Sequence, residues 1–279
     1  METRLCDHYN APDLIHNINA GLAAAGIDTE PLHIKDLALV DQLHTGGVRA
    51  TLALVDTIPI TPEFHILDAG CGLGGSSRLL AATFGCQVTG IDLSAPYIDA
   101  AQMLTQRTGL SEKVRFQTGS ILDLPWDDNT FDAVLCQHIL MNIEDKPAAV
   151  REFFRVLAPG GILMLHEIVQ GENAALALPV PWADAADISF LEPWDTLAAS
   201  LLQTGFTMEH HVDATKAGCR YWQKVREFAK KNGETPRPLG PHLVFGQNAR
   251  LFPHTMSRNF ETNAINLVEA IFKKNDTTA

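Results

Sequence analysis

The sequence predicts an α/β fold, a doubly wound and mostly parallel sheet with helices on both faces. Three observations lead there. Short apolar runs bounded by turn residues recur through the middle of the chain, stretches of helical periodicity separate them, and a glycine-rich turn joins the first run to the first of those helices. Runs of that length suit strands buried on both faces, and their alternation with helices builds a parallel sheet.

Residues 1–60 read as a helical N-terminal cover, broken at Gly46-Gly47. Strands are predicted at 65–68, 87–92, 131–136 and 161–166, with helices at 76–84, 95–108 and 146–157 between them. The last helix has Pro147 in its first turn and stops before Pro159-Gly160-Gly161, the start and stop chemistry of a helix. Residues 61–279 form the main domain. Within it, strands at 206–215 and 264–274 are expected to pair as an antiparallel hairpin. Between them, about 216–264 is an insertion rich in Gly, Pro, His and Asn, with one helical stretch at 221–231. A structureless loop of that length is uncommon in a compact domain, so a partly ordered, lid-like insertion is expected.

The 279 residues are 46% hydrophobic and 19% charged, enough to bury a sizeable core. Asp and Glu outnumber Lys and Arg by 33 to 21, a net charge of −12 that argues against a nucleic-acid partner. The basic run Lys224, Arg226, Lys230 and Lys231 reads as a solvated helix face. No apolar run approaches the ~20 residues of a membrane span, and Met1–Asp7 lack the apolar stretch of a signal peptide. Five scattered cysteines without a C-x-x-C pair suggest neither a disulfide framework nor zinc. His210-His211, His242 and His254 have no ligand spacing, so no metal is expected. A cytoplasmic monomer or homodimer acting on a small molecule, away from membranes, is the expectation.

The turn Asp68-Ala69-Gly70-Cys71-Gly72-Leu73-Gly74-Gly75 sits where a strand passes into a helix. Its spacing fits both G-x-G-x-G and G-x-G-x-x-G, so the glycines alone do not choose a cofactor. Asp92 closes the next strand 22 residues after Gly70, where a carboxylate accepts both hydroxyls of a ribose. Asp68 precedes the first glycine, where it would repel a pyrophosphate and suit an ammonium group. No Arg or Lys follows the glycines until Arg78.

Residues 66–72, 90–94, 119–125, 128–132 and 154–161 carry these features as a set, in order and spacing. In them the chain resembles the class I S-adenosylmethionine-dependent methyltransferases, over about residues 40–170. The resemblance implies a Rossmann-like sheet and S-adenosyl-L-methionine as cofactor. It implies that Asp68, Gly70 and Gly72 hold the methionine portion, that Asp92 takes the ribose hydroxyls, and that Leu93, Ser120 and Ile121 flank the adenine. Many relatives have Asp in place of Ser120. Residues 39–51 resemble the segment that closes over the cofactor in the small-molecule branch containing sarcosine/dimethylglycine and phosphoethanolamine N-methyltransferases and ubiquinone/menaquinone-type enzymes. There Gln42 and His44 are the candidate side chains. Gly46 and Gly47, at a helix start, would seat the cofactor carboxylate on free N–H groups.

In doubly wound sheets the reactive space lies beyond the C-terminal strand ends. That location offers Gln137 toward the cofactor, His138, His166 and Glu167 as candidate catalytic groups, and Met141 toward the acceptor. Tyr9 from the cover and Trp182 beyond the last parallel strand are candidates for the acceptor wall, since aromatic faces bind cationic amines. The branch leans to methyl transfer onto an amine nitrogen. The alternatives are C- or O-methylation of a quinone-like or hydroxylated metabolite and, more remotely, an NAD-type oxidoreductase or a non-catalytic cofactor-binding protein.

Overall fold

A computed structural model describes every residue except 1–3, 6, 7, 10, 12, 28, 29, 174, 233–236 and 276–279. Most of the stretch 1–7, read above as lacking a leader, lies outside the described residues. Ahead of the sheet the chain forms α1 (Leu14–Ala24), α2 (Ile34–Asp41) and α3 (Val48–Val55). The alternation follows as β1 (His65–Ala69), α4 (Gly75–Phe84), β2 (Gln87–Asp92), α5 (Ala95–Arg107) and β3 (Val114–Thr118). It continues with β4 (Phe131–Gln137), α6 (Lys146–Val156) and β5 (Leu157–Gln170). The chain ends in α7 (Trp194–Thr204), β6 (Phe206–Asp213), α8 (Thr215–Asn232), α9 (His242–Phe245), α10 (Phe252–Glu261) and β7 (Ile265–Lys274).

The seven strands lie in the order β3-β2-β1-β4-β5-β7-β6. The first five are parallel, and β7 runs antiparallel between β5 and β6. Strand order reverses between β1 and β4, which opens a crevice beyond their C-terminal ends. The apolar runs behave as buried strands should: Ile66, Leu67, Val134 and Leu135 are fully buried. Helix α6 is set by the chemistry at its ends and by its stripe. Asp145 caps it, accepting from Ala148 N–H (3.0 Å), and Ala149, Val150, Phe153 and Val156 pack into the core with Leu163 and Leu165.

Strand β3 was not anticipated. It is a sheet edge with only Val114 buried, so its sequence shows no continuous apolar run. Strand β5 starts at Leu157 and carries Pro159-Gly160-Gly161 inside it. The pairing with β4 slips there, from Phe131 opposite Leu157 to Ala133 opposite Ile162. Helix α8 starts six residues before the expected 221, and α9 and α10 give the insertion further order.

The N-terminal helices have no core of their own. Leu14, Ile18 and Leu22 of α1 and Leu37 and Val40 of α2 cluster with Tyr97 and Leu104 of α5, and with Leu239 and Val244 from the insertion. Burying each such leucine or isoleucine contributes roughly 1.5–3 kcal/mol. Helix α3 instead places Leu54 and Val55 with Ile66, Leu80 and Ile271 against the sheet. The cover and the insertion thus meet each other as well as the sheet.

Candidate active site

The crevice between β1 and β4 opens into a cavity lined by the N-terminal Leu5 and Tyr9, the end of α2 and the loop after it, the glycine turn, the end of β2, the loops after β3 and β4, and residues 181–182 with Phe245. The turn after β1 bends back on β2, with Gly70 N–H and Cys71 N–H both donating to the Ile91 carbonyl (2.8 and 2.9 Å). Gly70 has φ +75°, and a Cβ on it would stand 2.2 Å from the Ile139 side chain; no other residue fits. Gly72 has φ +53°, but a Cβ on it would meet nothing within 4 Å, so its backbone faces open space.

Asp92 clamps this turn to its own strand. Its Oδ2 accepts from Gly72 N–H and its Oδ1 from Ser94 N–H, both at 2.9 Å. Asp68, at the end of β1, accepts from the Ser77 hydroxyl (2.5 Å), and burial raises its carboxyl to about 6. Arg78, one turn into α4, does not reach the cavity. It is fully buried, donating to Asp41 Oδ2 (2.8 Å), the Leu73 carbonyl (2.6 Å) and Thr105 Oγ1 (3.0 Å), and so ties α2, the turn and α5 together.

Of the expected cofactor residues, His44, Asp68, Gly70, Gly72, Asp92, Leu93, Ser120, Ile121 and Gln137 line the cavity. Ser120 Oγ accepts from Leu122 N–H (3.1 Å), which shapes the loop after β3. Gln137 Oε1 accepts from Ser76 Oγ (2.9 Å) and Thr51 Oγ1 (3.1 Å), while its buried Nε2 has no protein partner. Gln42, Gly46 and Gly47 do not line the cavity. The Gly47 N–H donates to the His44 carbonyl (3.1 Å), so it is not free to seat a carboxylate, and a Cβ on Gly46 would strike Ala50. The glycine pair is there to turn the chain into α3. His44 Nε2 is within 3.0 Å of both the Gly47 carbonyl and Thr51 Oγ1, which fixes this corner.

The three candidate catalytic groups separate. His138 lines the cavity, at φ +55°, a conformation unusual for a side chain with a Cβ, and its Nε2 has no partner. His166 and Glu167 are fully buried behind the wall. Glu167 accepts from Ile139 N–H (3.0 Å), Leu140 N–H (3.2 Å) and Cys136 Sγ (3.3 Å), so its carboxylate holds the loop that presents His138. Burial raises it to about 7 against those donors. The His44, His138 and His166 rings cluster with centroids 5.0–6.1 Å apart. Burial lowers all three, His44 to about 4, and keeps the imidazoles neutral.

On the acceptor side, Tyr9, Met141 and Trp182 line the cavity. Tyr9 donates its hydroxyl to Asn142 Oδ1 (2.9 Å), and Asn142 Nδ2 donates to the Trp182 (2.7 Å) and Ile188 (2.9 Å) carbonyls. One amide thus joins the N-terminal segment, the loop after β4 and the segment after β5. Sequence reasoning missed Leu5, Leu43, Ser76, Tyr97 and Phe245 as wall residues. Phe245 lies in a stretch with no periodicity, and its neighbour Tyr9 (ring centroids 6.4 Å apart) comes from the opposite end of the chain. Only the spacing of Tyr97, five residues past Asp92, offered a signal.

Residues 67–165 match the family model described as "Methyltransferase domain". Residues 67–165 thus carry a methyltransferase domain. Over 123 residues it is 37% identical to "Phosphoethanolamine N-methyltransferase 3" of Arabidopsis thaliana, covering 44% of this chain and 25% of that protein. Among the most similar curated relatives the match spans 24% to 54% of their own length. The chain superposes on a putative sarcosine dimethylglycine methyltransferase from Galdieria sulphuraria with a TM-score of 0.69 at 18% identity, covering 83% of this chain and 86% of that one. It superposes on the [4+2]-cyclase SpnF with a TM-score of 0.69 at 21% identity, covering 94% of each chain. These likenesses extend the shared fold well beyond the matched motifs, into both covers.

Proposed function

We propose that the chain binds S-adenosyl-L-methionine and transfers its methyl group to a small-molecule acceptor, an amine nitrogen. The observation that carries the reading is the pairing of Asp92 and Asp68 across a backbone-faced glycine turn, in one cavity. The residues fit the cofactor. Gly72 opens onto empty space instead of packing, and Gln137 Nε2 is a buried donor with no protein acceptor. Asp92 would accept the ribose hydroxyls, Leu93 and Ile121 would sandwich the adenine beside Ser120, and Asp68 with Gln137 would hold the amino-acid end. When bound, the cofactor supplies a methyl group already electrophilic on a sulfonium. What remains for this chain is to orient the acceptor, exclude water and take up a proton. Tyr9, Met141 and Trp182 wall the acceptor space, and the neutral His138 is the proton acceptor within it. Glu167 and His166 act through the loop and strand that carry His138. The names of the Arabidopsis and Galdieria proteins support nitrogen as the acceptor atom.

Isothermal titration calorimetry with S-adenosylhomocysteine tests this directly. Binding at micromolar strength is expected. Asp92→Ala should weaken it by about 100-fold, the loss of two charge-assisted hydrogen bonds, with the circular dichroism spectrum retained. Binding of NAD in its place overturns the reading. Since one structural neighbour is named as a cyclase, binding should be followed by a methyl-transfer assay on an amine panel.

A further inference from the structure

Among the described residues, the cavity wall contains four carboxylates, Asp41, Asp68, Asp92 and Glu144, and no Lys or Arg. The nearby cations are committed elsewhere. Arg78 is buried against Asp41 and backbone carbonyls. Lys146 Nζ donates to the Ile143 carbonyl (2.8 Å) and to that of Phe190. Arg4 pairs with Asp187, and His8 lies beside Asp184 and the Pro181 carbonyl. Burial keeps His44 and His138 uncharged. Once Arg78 has neutralised Asp41, three carboxylates remain to face the cavity, with Glu144 exposed to solvent. The cofactor would bring one net positive charge, which leaves the space negative. Beside neutral polar groups such as Gln137 and Asn142, the wall carries the apolar and aromatic side chains of Leu5, Leu43, Met141, Ile143, Trp182 and Phe245.

We infer that the methyl acceptor is a lipophilic amine, an ammonium head on an apolar body, carrying no phosphate, diphosphate or carboxylate. The inference rests on the methyl-transfer reading above. A phosphate or carboxylate on the acceptor would be desolvated among like charges, with no Lys or Arg among the described wall residues to receive it. An ammonium meets Glu144 at the entrance and aromatic faces within, where cation–π attraction adds to apolar burial. This sets the chain apart from the phosphorylated amine named in its Arabidopsis relative. The acceptor arrives as R–NH3+, passes one proton by way of His138 Nε2 to solvent, and reacts as R–NH2. Its lone pair forms the N–C bond as the S–C bond breaks, leaving R–NH2–CH3+ and neutral S-adenosylhomocysteine.

The test uses the full chain loaded with S-adenosylhomocysteine, titrated with phenylbutylamine, phenylbutanol, phenylbutyrate and phosphoethanolamine. Loading is itself the check on the methyl-transfer reading: a chain that does not take up S-adenosylhomocysteine refutes that reading, whereas the acceptor series judges only the present inference. The amine should bind about tenfold more tightly than the alcohol, and the two anions more weakly than either. Glu144→Gln should narrow the gap between amine and alcohol while leaving S-adenosylhomocysteine affinity unchanged. Binding of phenylbutyrate or phosphoethanolamine as tight as that of the amine, or no binding by any member of the series, overturns the inference.

Discussion

Asp68 shows at the scale of one residue how burial and function oppose each other. Its carboxyl is lifted from 3.8 to about 6, chiefly by desolvation, with the Ser77 hydroxyl holding it down and the neighbouring Asp92 pushing it further up. Between those two values the folded chain holds a proton that the unfolded chain releases. Asp68 therefore favours the fold fully below about 4, and that contribution is lost as pH rises through about 6. Cofactor binding has the opposite sign, because an ammonium needs the ionised carboxylate. S-adenosylhomocysteine affinity should accordingly fall by up to about tenfold per unit as pH drops below about 6. Asp68→Asn should bind more weakly and show a flat profile across that window in calorimetry at several pH values. A wild-type profile that is equally flat would assign the ammonium to another group. The sequence made Asp68 legible because its position before the glycines has one chemical meaning. It could not show how Glu167 is held, because the donors that occupy it, the N–H groups of Ile139 and Leu140, belong to a backbone turn that only the fold creates.

Among the elements, α1 carries the least obvious dependence. Gly21 lies inside the helix, where alanine is normally favoured by about 1 kcal/mol. Here a Cβ would stand 2.5 Å from the Pro238 carbonyl oxygen and 3.0 Å from Leu239. The glycine lets α1 and the insertion touch. Gly21→Ala should therefore destabilise the chain by about 1–3 kcal/mol despite its better propensity, read as a lower midpoint in urea. Gly26→Ala, where a Cβ meets nothing within 4 Å but φ is +69°, offers a contrast in which only backbone strain acts. The strands and helices that build the parallel half of the sheet were readable because each carries its own period and stop signals. Strand β3 and the start of α8 were not: β3 is half solvated at an edge, and α8 buries only Gly218 and Trp222 along its length. At Gly47 the expected carboxylate seat meets a related obstacle. A helix start looks the same in sequence whether its N–H groups are free or, as here for Gly47, already bonded to the residue before the turn.

At the scale of the whole molecule, the chain's two ends close one cavity. Leu5 and Tyr9 enter its wall from the N-terminus and Phe245 from the insertion, while α1 and residues 239–244 share a buried cluster. Trp222 of α8 donates its indole N–H to Thr45 Oγ1 (3.0 Å), next to His44 in the wall, so the insertion also grips the loop before α3. We propose that the described residues of 1–47 and 216–264 act as a single lid over the cofactor, because each lends the other part of its apolar contact. Closure would exclude water and bring the acceptor to within about 3–3.5 Å of the methyl carbon. Tyr9, Leu43 and His44 of this lid line the cavity, so a bound cofactor should suppress local opening there more than in α6, none of whose residues lines it. Hydrogen exchange followed by mass spectrometry should show α1, α2 and residues 238–246 slowing together on addition of S-adenosylhomocysteine, while 146–156 changes little. Gly21→Ala, by prising α1 from Pro238, should uncouple them, so that the loop around His44 is still protected while the insertion is not. If the two segments respond independently in the wild-type chain, they are separate covers and the shared cluster is only packing.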